Sequence, residues 1–302
     1  MFFELSQKYI YFVTIYMITL KNHQNLVKIA SKGAQLITWK NSESDKEILW
    51  QQNDKYWNRV APILFPIVGR LKGDRFRYKD AYYPMSQHGF AREAEFDVIA
   101  SNDESATFSF KSNVETRRVY PFDFELIVNY SLSGSILKVN HTVINTGLEI
   151  MPFSIGAHPG FHLEGDIYEY KIEIPGATSK KRFLLDAGIF SGKTEGVDFE
   201  KGGFLPLREK YFESDAIVFK NENIHLVRLW RNNMPQLELE ITGVEAPYWG
   251  FWKKPNAPFF CIEPWWGLAD SAEFEADLSE KEGINSVNPN EKRSFNYQIK
   301  LL

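Results

Sequence analysis

The sequence predicts an all-β fold, a large antiparallel β-sandwich or barrel. Apolar and polar residues alternate with a period of two over many short runs, which sends one side of each run inward. Turn residues separate those runs at short intervals. Helical periodicity is scarce, and only residues 54–57 and 115–119 read as short helices.

The elements follow in chain order. Residues 1–20, MFFELSQKYIYFVTIYMITL, are apolar but broken by Glu4, Gln7 and Lys8. The remaining run is too short for a membrane span, and neither a basic leader nor a small-residue cleavage site marks a signal peptide. Residues 1–16 are therefore expected to be an extension outside the fold, with one domain over 17–302. Residues 26–39, LVKIASKGAQLITW, give two strands broken at Lys32-Gly33. Residues 106–111, ATFSFK, alternate cleanly. Residues 124–147 hold two alternating runs around Ser133-Gly134, a hairpin signal. Further strands are expected at 216–220, 224–230, 236–242, 247–252, 258–263 and 294–301. No repeat of fixed period, low-complexity tract or linker interrupts them.

Composition narrows the function. A chain of 302 residues, 44% hydrophobic and 15% aromatic, is large enough for one sizeable core. The net charge of −4 comes from interspersed acids and bases, so there is no basic face for nucleic acid or an anionic membrane. One cysteine, Cys261, allows neither a disulfide framework nor a thiolate cage. It lies in the apolar run Phe259-Phe260-Cys261-Ile262 and reads as a buried small hydrophobe. A reducing, cytoplasmic compartment fits this cysteine usage.

Several motifs fail. Residues 188–194, GIFSGKT, are one residue short of a phosphate-binding loop, and no helix follows. There is no G-x-S-x-G elbow and no dinucleotide fingerprint after a strand. His158 and His162 have the i, i+4 spacing of helical metal ligands, but Pro159 and Gly160 between them break a helix, so no metal site is expected.

Four stretches place polar residues where the pattern does not ask for them. They are Phe65-Pro66-Ile67-Val68-Gly69-Arg70, Gln87-His88-Gly89-Phe90-Ala91-Arg92, Ser154-Ile155-Gly156-Ala157-His158-Pro159-Gly160-Phe161, and Cys261-Ile262-Glu263-Pro264-Trp265-Trp266-Gly267. Each has a plain structural reading as a surface cation, a turn histidine or a solvated strand end. Together they supply a carboxylate, two imidazoles, a guanidinium and aromatic faces, the groups that sugar chemistry needs.

In this order, F-P-x-x-G-R, H-G-F-A-R, G-x-H-P-x-F and I-E-P-W resemble the aldose 1-epimerase (galactose mutarotase) family, especially its galactose mutarotase-related branch. The resemblance spans residues 61–267. It implies a galactose mutarotase-like supersandwich with a sugar cleft open to solvent. It also implies Glu263 as catalytic base, His158 as catalytic acid, His88 as a substrate-contacting histidine, and Arg70 and Asp215 as holders of sugar hydroxyls. Trp265, Trp266, Trp249 and Phe161 are the candidates for stacking on the ring, and Trp265 is carried forward as substrate-binding. His162 has no implied role, and His141 reads as structural.

The implied reaction interconverts the α and β anomers of a free aldohexose. Glu263, ionised, takes the O1 proton, while His158, protonated, gives one to the ring oxygen; the nearby carboxylate is expected to keep the imidazole charged. No cofactor is needed. The partner is a small-molecule sugar, and the chain is a monomer or a homodimer. Three alternatives stay open: a non-catalytic sugar-binding or regulatory protein, a hexose 6-phosphate mutarotase using Lys180, Lys181 and Arg182, and a glycosidase pairing Glu263 with Asp215.

Overall fold

The computed structural model describes residues 16–302, with 214 and 222 excepted. Two large sheets dominate. The nine-stranded sheet runs in the order Phe204–Pro206, Tyr170–Glu173, Leu226–Arg231, Met234–Ile241, Lys292–Leu301, Ile136–Asn145, Phe124–Ser133, Ser105–Lys111, Asp97–Ser101. The eight-stranded sheet runs Ile189–Asp198, Ser179–Asp186, Ile217–Lys220, Tyr248–Trp252, Phe259–Trp266, Ile155–Ala157, Ile63–Leu64, and Gly160–His162 also pairs with Phe259–Trp266. The ladders of both sheets are antiparallel. Among the described residues no helix is long and apolar enough to cross a membrane.

The expected hairpin forms, with Phe124–Ser133 against Ile136–Asn145 and Ser133 opposite Ile136. Its burial alternates residue by residue, so one face seals the core and the other meets solvent. Val128, Val139 and Phe295 from this sheet share one apolar cluster with Phe251, Phe260 and Ile262 from the other. The two sheets therefore close on a common core.

Strand Phe259–Trp266 is buried along its whole length. Phe260, Ile262 and Trp266 enter the common core. Phe259, Cys261 and Trp265 belong to two smaller clusters on the other face, and Glu263 shares that face by the strand's period of two. This side of the sheet carries the cavity described below.

Two local expectations are corrected. Residues 54–57 are a turn and not a helix. The Asn53 side chain accepts the Lys55 N–H at 2.9 Å and its carbonyl accepts the Tyr56 N–H, which gives the backbone a turn in place of helical bonds. The helix expected at 115–119 is present as Val114–Val119, capped by the Asn113 side chain on the Glu115 and Thr116 N–H groups. The second correction is an unexpected hairpin, Ser179–Asp186 against Ile189–Asp198. Most of its residues are exposed or half-buried, so no buried face writes a period-two pattern into the sequence. The phosphate-loop lookalike 188–194 lies in its turn and second strand.

Candidate active site

A cavity of about 360 Å³ opens on the face of the eight-stranded sheet away from the core, within the range of small-molecule sites. His88, His158, Asp215, Glu263 and Trp265 line it, with Trp57, Gln87, Arg92 and Trp252.

Two loops build one wall. Phe65 N–H donates to His88 O at 3.2 Å, His88 N–H to Gly69 O at 2.8 Å, and Phe90 N–H to Phe65 O at 3.0 Å. The F-P-x-x-G-R and H-G-F-A-R stretches are thus laced together through their backbones. Gly89 sits at φ +71°, and a Cβ there would fall 2.2 Å from the Phe65 carbonyl oxygen, so only glycine allows the approach. His88 itself adopts a left-handed φ of +66°, an uncommon state for a residue with a Cβ. Its Nδ1 accepts the Gly69 N–H at 3.1 Å. Burial pushes its pKa well down, with the charges of His158, Arg92 and Arg59 adding to the effect. The neutral ring therefore carries its proton on Nε2, which is left as a donor for a ligand.

The opposite wall is strand Phe259–Trp266. Glu263 is 0% exposed, and its Oε2 lies 3.2 Å from His158 Nε2. Trp265 Nε1–H donates to the same Oε2 at 3.1 Å. The Trp265 indole has room because its strand neighbours are glycines: a Cβ on Gly250 would meet the ring at 2.7 Å, and one on Gly156 at 3.0 Å. Trp57 lies against the His158 ring at 4.9 Å between centroids and 32° between planes, and Trp252 meets it edge-on at 5.6 Å. Gly160 makes the Trp57 approach possible, since a Cβ there would stand 2.8 Å from that indole.

Burial works against the charge states expected from the sequence. Burial pushes His158 down to about 3 and pushes Glu263 well above the carboxylate range, although the Trp265 bond opposes the latter. Both shifts favour the neutral form of each partner. Desolvation of two charges outweighs their mutual attraction here.

The other residues singled out in the sequence divide. Asp215 lines the cavity, and burial pushes its carboxyl pKa up. Arg70 does not line it. Its guanidinium closes on Asp74 through two 2.8 Å bonds and reaches the Ala187 carbonyl at 3.2 Å. The arginine in the wall is Arg92, four residues after His88, which donates to Gln87 O at 2.7 Å. No ion pair engages Arg92 among the described residues, and burial, helped by Arg59, lowers its pKa to about 10. Trp249, Trp266 and Phe161 are buried in the core, and Trp265 is the stacking candidate that reaches the cavity. His162 is exposed, on the strand that pairs with Phe259–Cys261, and shares no site with His158. His141 is sealed in the common core. Lys180, Lys181 and Arg182 do not line the cavity; Arg182 pairs with Glu195 at 2.6 Å.

Sequence reasoning missed Trp57, Arg92 and Trp252. Arg92 was legible in the H-G-F-A-R motif that supplied His88. Trp252 follows from register, because it stands opposite Cys261 as Gly250 stands opposite Glu263. Trp57 lies in an irregular turn and leaves no periodic signal.

The family model for aldose 1-epimerase matches residues 16–300. The chain belongs to the aldose 1-epimerase family. LacX, a plasmid-encoded protein of Lactococcus lactis subsp. lactis, is 33% identical over 298 residues, 94% of this chain and 99% of that protein. A galactose mutarotase related enzyme from Lactobacillus acidophilus superposes with a TM-score of 0.89 at 33% identity, covering 95% of this chain and 97% of that one. A galactose mutarotase-like protein from Lactobacillus casei gives 0.89 at 31% identity, over 95% of this chain and all of that one (100%). The galactose mutarotase-like sandwich expected from the sequence is thus the fold of this chain.

Proposed function

We propose that this aldose 1-epimerase family member interconverts the α and β anomers of a free aldohexose, with Glu263 and His158 as its proton-transfer pair. The observation that carries the reading is the 3.2 Å separation of His158 Nε2 and Glu263 Oε2 in the cavity wall. A hemiacetal carbon bears two oxygens side by side, O1 and O5. Two neighbouring groups, one able to accept a proton and one able to give one, match that edge.

Ring opening takes the O1 proton to Glu263 and gives the His158 proton to O5. The C1–O5 bond breaks and C1–O1 becomes the aldehyde carbonyl. Rotation about C1–C2 and the reverse transfers close the ring on the other face. Each transfer contributes roughly 10²–10⁴-fold when positioned. After opening, the pair holds its proton on the carboxyl group with a neutral imidazole, and burial favours those neutral forms. A closed ring draws the proton across to the imidazole, a move between two atoms already in contact. His88 Nε2–H and Asp215 hold hydroxyls, and Trp265 covers apolar C–H surface.

Polarimetry on freshly dissolved α-glucose and α-galactose tests this. Enzyme faster than the spontaneous rate is expected. An unchanged rate across several aldoses would leave a sugar-binding role in its place.

Arg92 favours a second reading, a sugar bearing an anionic group such as a hexose 6-phosphate. A half-buried guanidinium that makes no ion pair among the described residues, beside Arg59, suits an anion. Comparing rates on hexoses and their 6-phosphates separates the two readings.

A further inference from the structure

Cys261 stands two residues before Glu263 on one strand, so both side chains leave the same face of the sheet. His158 reaches that face from the turn after Ile155–Ala157. One ligand atom from each, an imidazole nitrogen, a sulfur and a carboxylate oxygen, lies within 4.8 Å of the other two. Glu263 is 0% exposed and its Oε1 is buried without a hydrogen-bond partner among the described residues. We propose that His158, Cys261 and Glu263 form a binding site for a soft divalent cation of the Zn²⁺ kind, and that its occupation shuts sugar out of the cavity.

The donor set is the first support. Imidazole, thiolate and carboxylate are the three ligand types zinc takes, and three protein ligands leave a fourth position for water. The spacing is the second. His158 Nε2 and Glu263 Oε2 are 3.2 Å apart, and two ligands of a tetrahedral zinc stand about 3.3 Å apart at normal bond lengths. Bringing a sulfur at that 4.8 Å limit to bonding distance needs a shift on the order of one ångström. The third support is charge. A thiolate and a carboxylate contribute two negative charges, which one Zn²⁺ cancels. The occupied site is neutral in a region where burial disfavours any net charge. On binding, the thiol loses its proton and so does the Glu263–His158 pair, and both protons go to solvent. The cation would then occupy the two atoms that the proposed anomerisation uses. The blocking claim rests on that reading, whereas the binding claim does not.

Cobalt makes the test direct. One equivalent of Co²⁺ per chain is expected to produce a thiolate-to-cobalt absorption band in the wild-type protein, and Zn²⁺ to erase it. Cys261→Ala is expected to lose the band and to bind Zn²⁺ at least about 100-fold more weakly by calorimetry, since a direct ligand is worth more than an outer partner. Its metal-free anomerisation rate should stay near wild type. Cys261→Val serves the same purpose if the alanine variant fails to fold. A wild-type protein with no thiolate band, or a cysteine variant that binds Zn²⁺ as tightly, overturns the site. Zinc bound at Cys261 with anomerisation undiminished overturns the blocking. A cobalt band in a protein that anomerises nothing keeps the site and refutes the proposed activity.

Discussion

Trp265 and Glu263, two residues apart on one buried strand, are joined by a 3.1 Å hydrogen bond from the indole Nε1 to the carboxylate Oε2. The same oxygen faces His158 at 3.2 Å. Trp265 thereby holds the carboxylate in the rotamer that meets the imidazole. Trp265→Phe keeps an aromatic ring over Gly250 and removes this donor. The expected result is a fall in kcat of about ten- to a hundredfold, the worth of a hydrogen bond to a charged group, with a smaller change in KM. Steady-state polarimetry measures both. A rise confined to KM, with kcat unchanged, would assign Trp265 to sugar stacking alone.

Glu263→Gln keeps the shape of the side chain and removes its basicity. Anomerisation is expected to drop to the spontaneous rate while the thermal unfolding midpoint stays near or above wild type, because a buried ionisable group has been replaced by a neutral one. His158→Asn is expected to cost at least about 100-fold. Retained activity in either variant would remove that residue from the proton-transfer pair.

The two arginines are expected to behave differently. Arg92→Met removes a guanidinium from the cavity wall and should weaken sugar binding about ten- to a hundredfold. Arg70→Met breaks an exposed pair with Asp74 and should leave KM within about threefold, as surface pairs contribute little. Equal effects from the two would return Arg70 to the sugar's contact shell.

His141 sets an acid limit on stability. Neither of its ring nitrogens has a hydrogen-bond partner among the described residues, and burial lowers its pKa to about 4 from 6.5. Between pH 6.5 and 4 the unfolded chain takes up a proton that the folded one refuses. Stability is therefore lost as pH falls through that window, by about 3 kcal/mol from this residue. His141→Leu is expected to unfold at higher urea at pH 7 and to lose less stability between pH 7 and pH 4.5. Parallel pH dependences in the two proteins would clear His141 of this role.

How much of this was legible depended on burial. The hairpin at 124–147 announced itself because one of its faces is buried and the other is not. The hairpin Ser179–Asp186 with Ile189–Asp198 stayed silent because neither face is fully buried. His88, His158, Glu263 and Trp265 were found because motif order carried them, Asp215 was carried over from the family resemblance alone, and all five line one cavity. Arg70 and Arg92 both end motifs, and sequence order cannot say which guanidinium a nearby aspartate will claim. The protonation of the His158–Glu263 pair was equally hidden, since it depends on how completely both groups leave water.

Strand Phe259–Trp266 gives alternate side chains to two different tasks. A shift of one position along it would carry Glu263 into hydrocarbon and turn Ile262 toward the cavity. Insertions or deletions of a single residue here should therefore cost folding and activity together, whereas substitutions at the even-numbered positions Phe260, Ile262 and Trp266 act on the core and those at Glu263 and Trp265 act on the cavity. The strand can be edited by substitution, but its length cannot be changed.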